Sequence, residues 1–104
     1  MADLTIAQND YGYYLLFTIN DSVGAPYNLA GYVVKLKVWL PGAEDALIVE
    51  GVCEAVPPAA GTCKYLIKKD DFTAVHTYCA ELELTKTDIV ESTIKFIIEV
   101  TPSA

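Results

Sequence analysis

The sequence predicts an all-β domain, an antiparallel β-sandwich of about seven to eight strands, and three observations lead to this prediction. Valine, isoleucine and threonine supply 27 of the 104 residues, and seven tyrosines add to them; these residues favour pleated, half-buried strands. Apolar and polar side chains alternate over several short segments, which is the periodicity of a strand. Glycine and proline separate the segments at short intervals, as they do in sandwiches.

The first half of the chain contains two strong strands. In residues 13–19 the larger apolar side chains occupy every second position, and the letters NDSVG that follow predict a turn. Residues 32–40 alternate more cleanly, with apolar side chains on one side and two lysines on the other, before Pro41 and Gly42 end the strand. We predict weaker strands in three further segments: residues 4–8, 46–50 and 52–56.

The second half contains three more alternating strands, at residues 63–68, 78–85 and 94–100. Residues 69–75 form the longest segment that resembles a helix, but they are too short to pack as a layer, so we expect minimal helix content. All these strands are needed to build one sandwich, which predicts a single domain over residues 1–104. The inward positions predict a core that includes Phe17, Leu36, Val38, Tyr65, Leu82, Phe96 and Ile98.

Charge and composition exclude several functions. The net charge is −7 and every basic residue is a lysine, which argues against nucleic acid as a partner because such proteins present cationic surface to phosphates. No apolar stretch approaches the ~18 residues that a membrane helix requires. The N-terminus has no positive region followed by a hydrophobic core, so we expect synthesis in the cytoplasm without a signal peptide.

The residues that support catalysis are sparse. His76 is the one histidine of the chain, and no phosphate loop, zinc motif or nucleophile elbow accompanies it. We interpret it as a turn histidine and predict that the protein is not an enzyme. Asp70 and Asp71 lack the dense acidic spacing of a calcium loop, so we predict neither a metal site nor a cofactor.

Three cysteines, an odd number, fit a reducing compartment. Cys53 and Cys63 are placed symmetrically about Pro58, so a hairpin would bring them opposite each other, either as buried free thiols, which we favour, or as a bridge. Cys79 shares its phase with Glu81, which predicts that it points away from the core.

Apolar side chains at outward strand positions are the best candidates for an interaction surface. Tyr14 and Leu16 on one strand and Leu66 on another break the polar rule for a solvated face, and we expect them to form one patch. Trp39 and Ile97 are similar exceptions on the other sheet, although Trp39 also fits a simple cover over the core edge.

The order of turns and strands resembles a known family. The letters TIND at 18–21, GAPYNLAG at 24–31 and GTCKY at 61–65, with TYCAELEL at 77–84, are similar to the immunoglobulin-like domain at the N-terminus of upper baseplate proteins of tailed phages. His76 stands where that family has a glycine. The resemblance implies an immunoglobulin-like sandwich and a self-associating structural module of the virion, with no catalytic residues to carry over.

Three functional hypotheses follow. The first is a structural protein of the phage tail or baseplate that binds copies of itself, as a homo-oligomer, and other virion proteins; a head decoration protein is a variant of it. The second is a carbohydrate-binding or adhesion sandwich, in which Tyr27, Tyr32 and Trp39 form a platform for a glycan. The third is an accessory domain of an enzyme complex.

Overall fold

Eight strands make up the regular structure of the described part of the chain. A computed structural model describes residues 3–20, 23–55, 61–92 and 95–102, and these contain strands but no helix. The strands are β1 (Leu4–Ala7), β2 (Tyr14–Thr18), β3 (Val33–Trp39), β4 (Val49–Ala55), β5 (Thr62–Leu66), β6 (His76–Lys86), β7 (Ile89–Ser92) and β8 (Phe96–Thr101). Within the described ranges, a helix of the length and apolarity that crossing a membrane requires is absent.

The strand positions agree with the predicted segments, with two differences. Residues 49–55 form one continuous strand, β4, which spans parts of both weak candidates, 46–50 and 52–56. Residues 46–48 are not in a strand, and position 56 lies outside the described residues. Strand β7 was not predicted; it forms a short hairpin with the end of β6, and its four residues are all exposed. Position 94, the predicted start of the last strand, lies outside the described residues.

The strands join in one hydrogen-bonded path with the order β1-β8-β6-β3-β4-β5-β2, and β7 adds to β6 beside β8. The prediction of a wholly antiparallel arrangement is wrong at one edge, because β1 pairs parallel with β8, with Leu4 opposite Ile98 and Ile6 opposite Val100. The sheet is therefore mixed. The sequence of the short strand β1 does not indicate whether it pairs parallel or antiparallel. That orientation depends on the position of β8, which comes from the other end of the chain.

The sheet curls around its own core like a half-barrel, so the predicted division into two separate sheets is not seen, and the immunoglobulin-like class stays a prediction. Strand β4 makes the corner: its residues 49–53 pair with β3, and Glu54 and Ala55 pair with β5. The curl brings distant strands together, since the rings of Phe17 on β2 and Phe96 on β8 lie 5.6 Å apart between centroids.

The core fills the concave side of the sheet. The five predicted core residues Leu36, Val38, Tyr65, Leu82 and Ile98 are buried, whereas Phe17 and Phe96 are half-buried and pack against the cluster. Burial alternates along the central strands, as their sequence predicts. The concave side of the curled sheet is thus apolar and packed, so an interaction surface is sought on its convex side.

Candidate protein-docking surface

The predicted apolar patch lies on the convex face of the two strands β2 and β5. Tyr14 stands directly opposite Leu66 in the antiparallel register, and Leu16 lies two residues farther along the same face, opposite Lys64. The exposed fractions are 47% for Tyr14, 68% for Leu16 and 42% for Leu66. The Lys64 ammonium lies 4.3 Å from the centre of the Tyr14 ring. The fold therefore brings all three predicted side chains onto one solvent-facing surface.

The patch extends beyond what the sequence predicted. Val52, on the same convex side of β4, is 64% exposed. The β4–β5 register pairs Glu54 with Lys64, so Val52 lies two residues from that pair, on the side of Leu66. An outward valine between Gly51 and Cys53 was the available signal, but its neighbours across the sheet depend on where β4 turns its corner. We call Tyr14, Leu16, Val52 and Leu66 the convex patch.

Trp39 is buried, contrary to the exposure expected from its outward strand position, and its role in an interaction stays a prediction. It forms a row with Cys79 and Ile97 across strands β3, β6 and β8, but its side chain is only 3% exposed. The Lys95 ammonium lies 5.8 Å from its ring, and Leu47 from the β3–β4 loop lines the same hollow. Ile97 is half-buried. Trp39 thus serves as a cover over the sheet, the alternative that its position at a strand end left open.

The three aromatic residues of the predicted sugar platform do not meet. Tyr27 and Tyr32 lie together edge to face, with hydroxyls 3.2 Å apart, whereas Trp39 is buried elsewhere. The Tyr27 hydroxyl also donates to the Glu91 carboxylate at 3.0 Å. The hydrogen bonds with Tyr32 and Glu91 raise the pKa of Tyr27 above its usual value. The pair fastens the 24–32 loop to β7 instead of presenting a flat aromatic face.

A groove runs beside β2, where the half-barrel stays open. It has a volume of about 560 Å³, and its floor contains the half-buried rings of Phe17 and Phe96 together with Leu82 and Leu84. Leu16 to Asn20 form one wall, and Asp3, Leu4, Glu91 and Ser92 lie on the other side. Sequence reasoning missed this groove, because its lining combines segments that lie far apart in the sequence, such as Leu16 to Asn20 and Glu91.

The side chains that could act in catalysis or bind a metal are scattered over the described part of the chain. His76 is exposed and contacts the Tyr78 ring, with centroids 5.8 Å apart. No cluster of three or more histidine, cysteine or acidic side chains suited to a metal occurs in the ranges that the structure describes. Cys53 and Cys63 are free and buried, as favoured. Their mutual hydrogen bond, together with burial, raises the pKa of Cys53.

Comparisons with known proteins agree with the resemblance in the sequence. The BppU N-terminal domain, from an upper protein of the phage baseplate, matches residues 3–104. Among solved structures, CopC from Methylosinus trichosporium OB3b is similar, with a TM-score of 0.57 and 15% identity; the match covers 100% of this chain and 88% of that one. At this identity the likeness concerns the fold alone. No curated protein sequence matches.

Because the family match covers nearly the whole chain, it confirms the predicted relationship and indicates a baseplate-related structural protein of the virion. The chain belongs to the BppU N-terminal domain family.

Proposed function

We propose that this chain is a non-enzymatic docking domain of the phage baseplate, which joins copies of itself and other virion proteins through the convex patch. It is made in the host cytoplasm and works in the virion. The observation that carries the proposal is the placement of Tyr14, Leu16 and Leu66 side by side on one exposed face, in a chain whose family belongs to the baseplate.

The energetics favour an apolar contact. Full burial of a leucine contributes about 1.5–3 kcal/mol relative to exposure, and clustered exposed apolar side chains mark interfaces more often than single ones do. The net charge of −7 makes like copies repel one another. The Glu54 and Lys64 pair beside the patch carries both signs, so this part of the surface adds little to that repulsion.

The test introduces charge into the patch. Leu16→Glu and Leu66→Lys are expected to fold normally, because both side chains are exposed, but to remain monomeric and to fail to enter phage particles. Light scattering reports the first property and electron microscopy of assembled particles the second. The matched control is Val90→Glu on β7, since Val90 is exposed to the same 68% as Leu16 but is not one of the four residues of the convex patch. Normal assembly of the patch variants contradicts the proposal.

A further inference from the structure

We propose that the groove beside β2 receives an extended segment of a second, cationic protein, which adds to the free edge of β2 as a new strand. This inference rests on the docking function proposed above and deepens it by naming the class of partner and its mode of binding. The three observations behind it are a strand edge with unpaired backbone groups, an apolar floor and an acidic rim.

The free edge follows from the hydrogen-bond phase of β2. The Tyr13 carbonyl accepts from the Ile67 N–H at 3.0 Å, and the Ile19 N–H donates to the Gly61 carbonyl at 2.7 Å. Because an antiparallel ladder bonds alternate residues, the odd-numbered residues of β2 direct their backbone groups at β5. The even-numbered ones, Tyr14, Leu16 and Thr18, direct theirs away from it. Strand β2 ends the sheet order, so in the described residues these groups have no ladder partner.

An edge of this kind is a template for strand addition. Strand β2 has five residues, and at ~3.3 Å per residue it offers roughly 16 Å of edge. Leu16 and Thr18 also line the groove, so a segment that bonds to this edge lies over the groove floor. Its alternate side chains then point at Phe17 and Phe96, two core residues that the closed part of the barrel leaves half-buried.

The charged residues at the edge of the groove favour a cationic binding partner. The charged residues that line the groove are Asp3 and Glu91, and both are acidic. Each has one carboxylate oxygen in a hydrogen bond, with the Ile97 N–H and the Tyr27 hydroxyl respectively. Their negative charge remains, and the chain as a whole carries −7. Lysine or arginine beside the apolar positions of the incoming strand complements this rim, whereas a second copy of this acidic chain does not.

The probes are three short synthetic peptides. In the first, valine and threonine alternate between flanking lysines; in the second, glutamates replace the lysines; in the third, proline at alternate positions removes the N–H donors that a strand needs. We expect the lysine peptide to bind at low salt and to slow amide hydrogen exchange at Leu16 and Thr18 about tenfold or more. The glutamate peptide is expected to bind about tenfold more weakly, with the difference shrinking as salt is added. The proline peptide is expected not to bind.

Two substitutions test separately the backbone pairing at the β2 edge and the charge complementarity at the groove. Thr18→Pro removes a free N–H without removing a bond to β5, and is expected to abolish protection by the lysine peptide. Glu91→Gln is expected to reduce the preference for lysine over glutamate. Its control, Glu44→Gln, makes the same change in net charge at an exposed loop position outside the groove, and is expected to leave that preference unchanged.

Each of three peptide results overturns the inference: no protection of the Leu16 and Thr18 amides, protection confined to Val52 and Leu66 of the convex patch, or equal protection by the lysine and glutamate peptides. Protection that appears on concentrating the protein without peptide makes a second copy the occupant and also overturns it. None of these outcomes touches the docking function, which fails only if the Leu16→Glu and Leu66→Lys variants enter particles normally. The measurement on the unaltered protein decides the question even if Thr18→Pro does not fold.

Discussion

At the residue scale, Gly51 is a position where the fold leaves no room for a side chain. It is buried on β4, and a Cβ built there overlaps the ring of Tyr65. We expect Gly51→Ala to lower the free energy of unfolding by about 1–3 kcal/mol, the usual cost of overpacking a core. Urea denaturation measures the loss.

The neighbouring exposed residue supplies the control for that prediction. Val52→Ala, at a position 64% exposed, is expected to change stability by no more than about 0.5 kcal/mol. Replacing Tyr65 with leucine in the Gly51→Ala background is expected to recover part of the alanine's cost, because the clashing ring atoms are removed. A Gly51→Ala protein as stable as the unaltered one contradicts the assigned contact.

Tyr65 is expected to make the stability of the folded protein fall at alkaline pH. Burial, with the hydrogen bond that its hydroxyl donates to the Asp71 carboxylate, raises its pKa above the usual 10.0. The unfolded chain therefore loses this proton first as pH rises, so stability falls from about pH 10 upward until the folded pKa is passed. We expect Tyr65→Phe to flatten this fall by up to about 1.4 kcal/mol per pH unit. Parallel stability curves for the two proteins in urea titrations above pH 10 contradict it.

The thiols differ in access. Cys79 is half-buried on the convex face, whereas Cys53 and Cys63 are buried in the core. We expect a thiol reagent to label Cys79 first in the native protein and the other two only on unfolding, because both access and thiolate formation limit the reaction. Mass spectrometry of the labelled peptides measures the order. Earlier labelling of Cys53 or Cys63 contradicts the strand phase.

At the element scale, β1 is the strand whose attachment most needs testing. It pairs only with β8 among the described elements, and its anchor is Ile6, which is buried in the core. We expect Ile6→Ala to cost about 2–5 kcal/mol. Thr5→Ala, at an exposed position on the same strand, is expected to cost far less. Equal effects on thermal unfolding mean that β1 is held by its backbone alone.

At the scale of the whole molecule, net charge and apolar surface act against each other in assembly. Copies with a charge of −7 repel at low ionic strength, and salt screens that repulsion while leaving apolar contact intact. If the convex patch drives homo-oligomer formation, added sodium chloride is expected to shift the protein toward larger species in sedimentation velocity. A shift toward monomer on adding salt indicates ionic contacts and contradicts an apolar interface.

Much of the architecture was predictable from local pattern. Alternation along residues 32–40 and 78–85 defined β3 and β6 and their buried sides, because side chains of a strand point alternately to its two faces whatever the topology. The same rule placed Tyr14, Leu16 and Leu66 outside. It failed for Trp39, since the phase of a strand says which face a side chain takes and not what later packs over it.

The sequence by itself determined that the chain is all-β, where its strong strands lie, which side of each is apolar, and to which family it belongs. Only the tertiary structure decided the parallel pairing of β1 with β8, the corner in β4, the extension of the patch to Val52 and the groove beside β2. The physical reason is separation along the chain. Strand periodicity depends on neighbouring residues. These features instead form between distant segments, such as those of Asp3 and Ile97, which come into contact only when the chain folds.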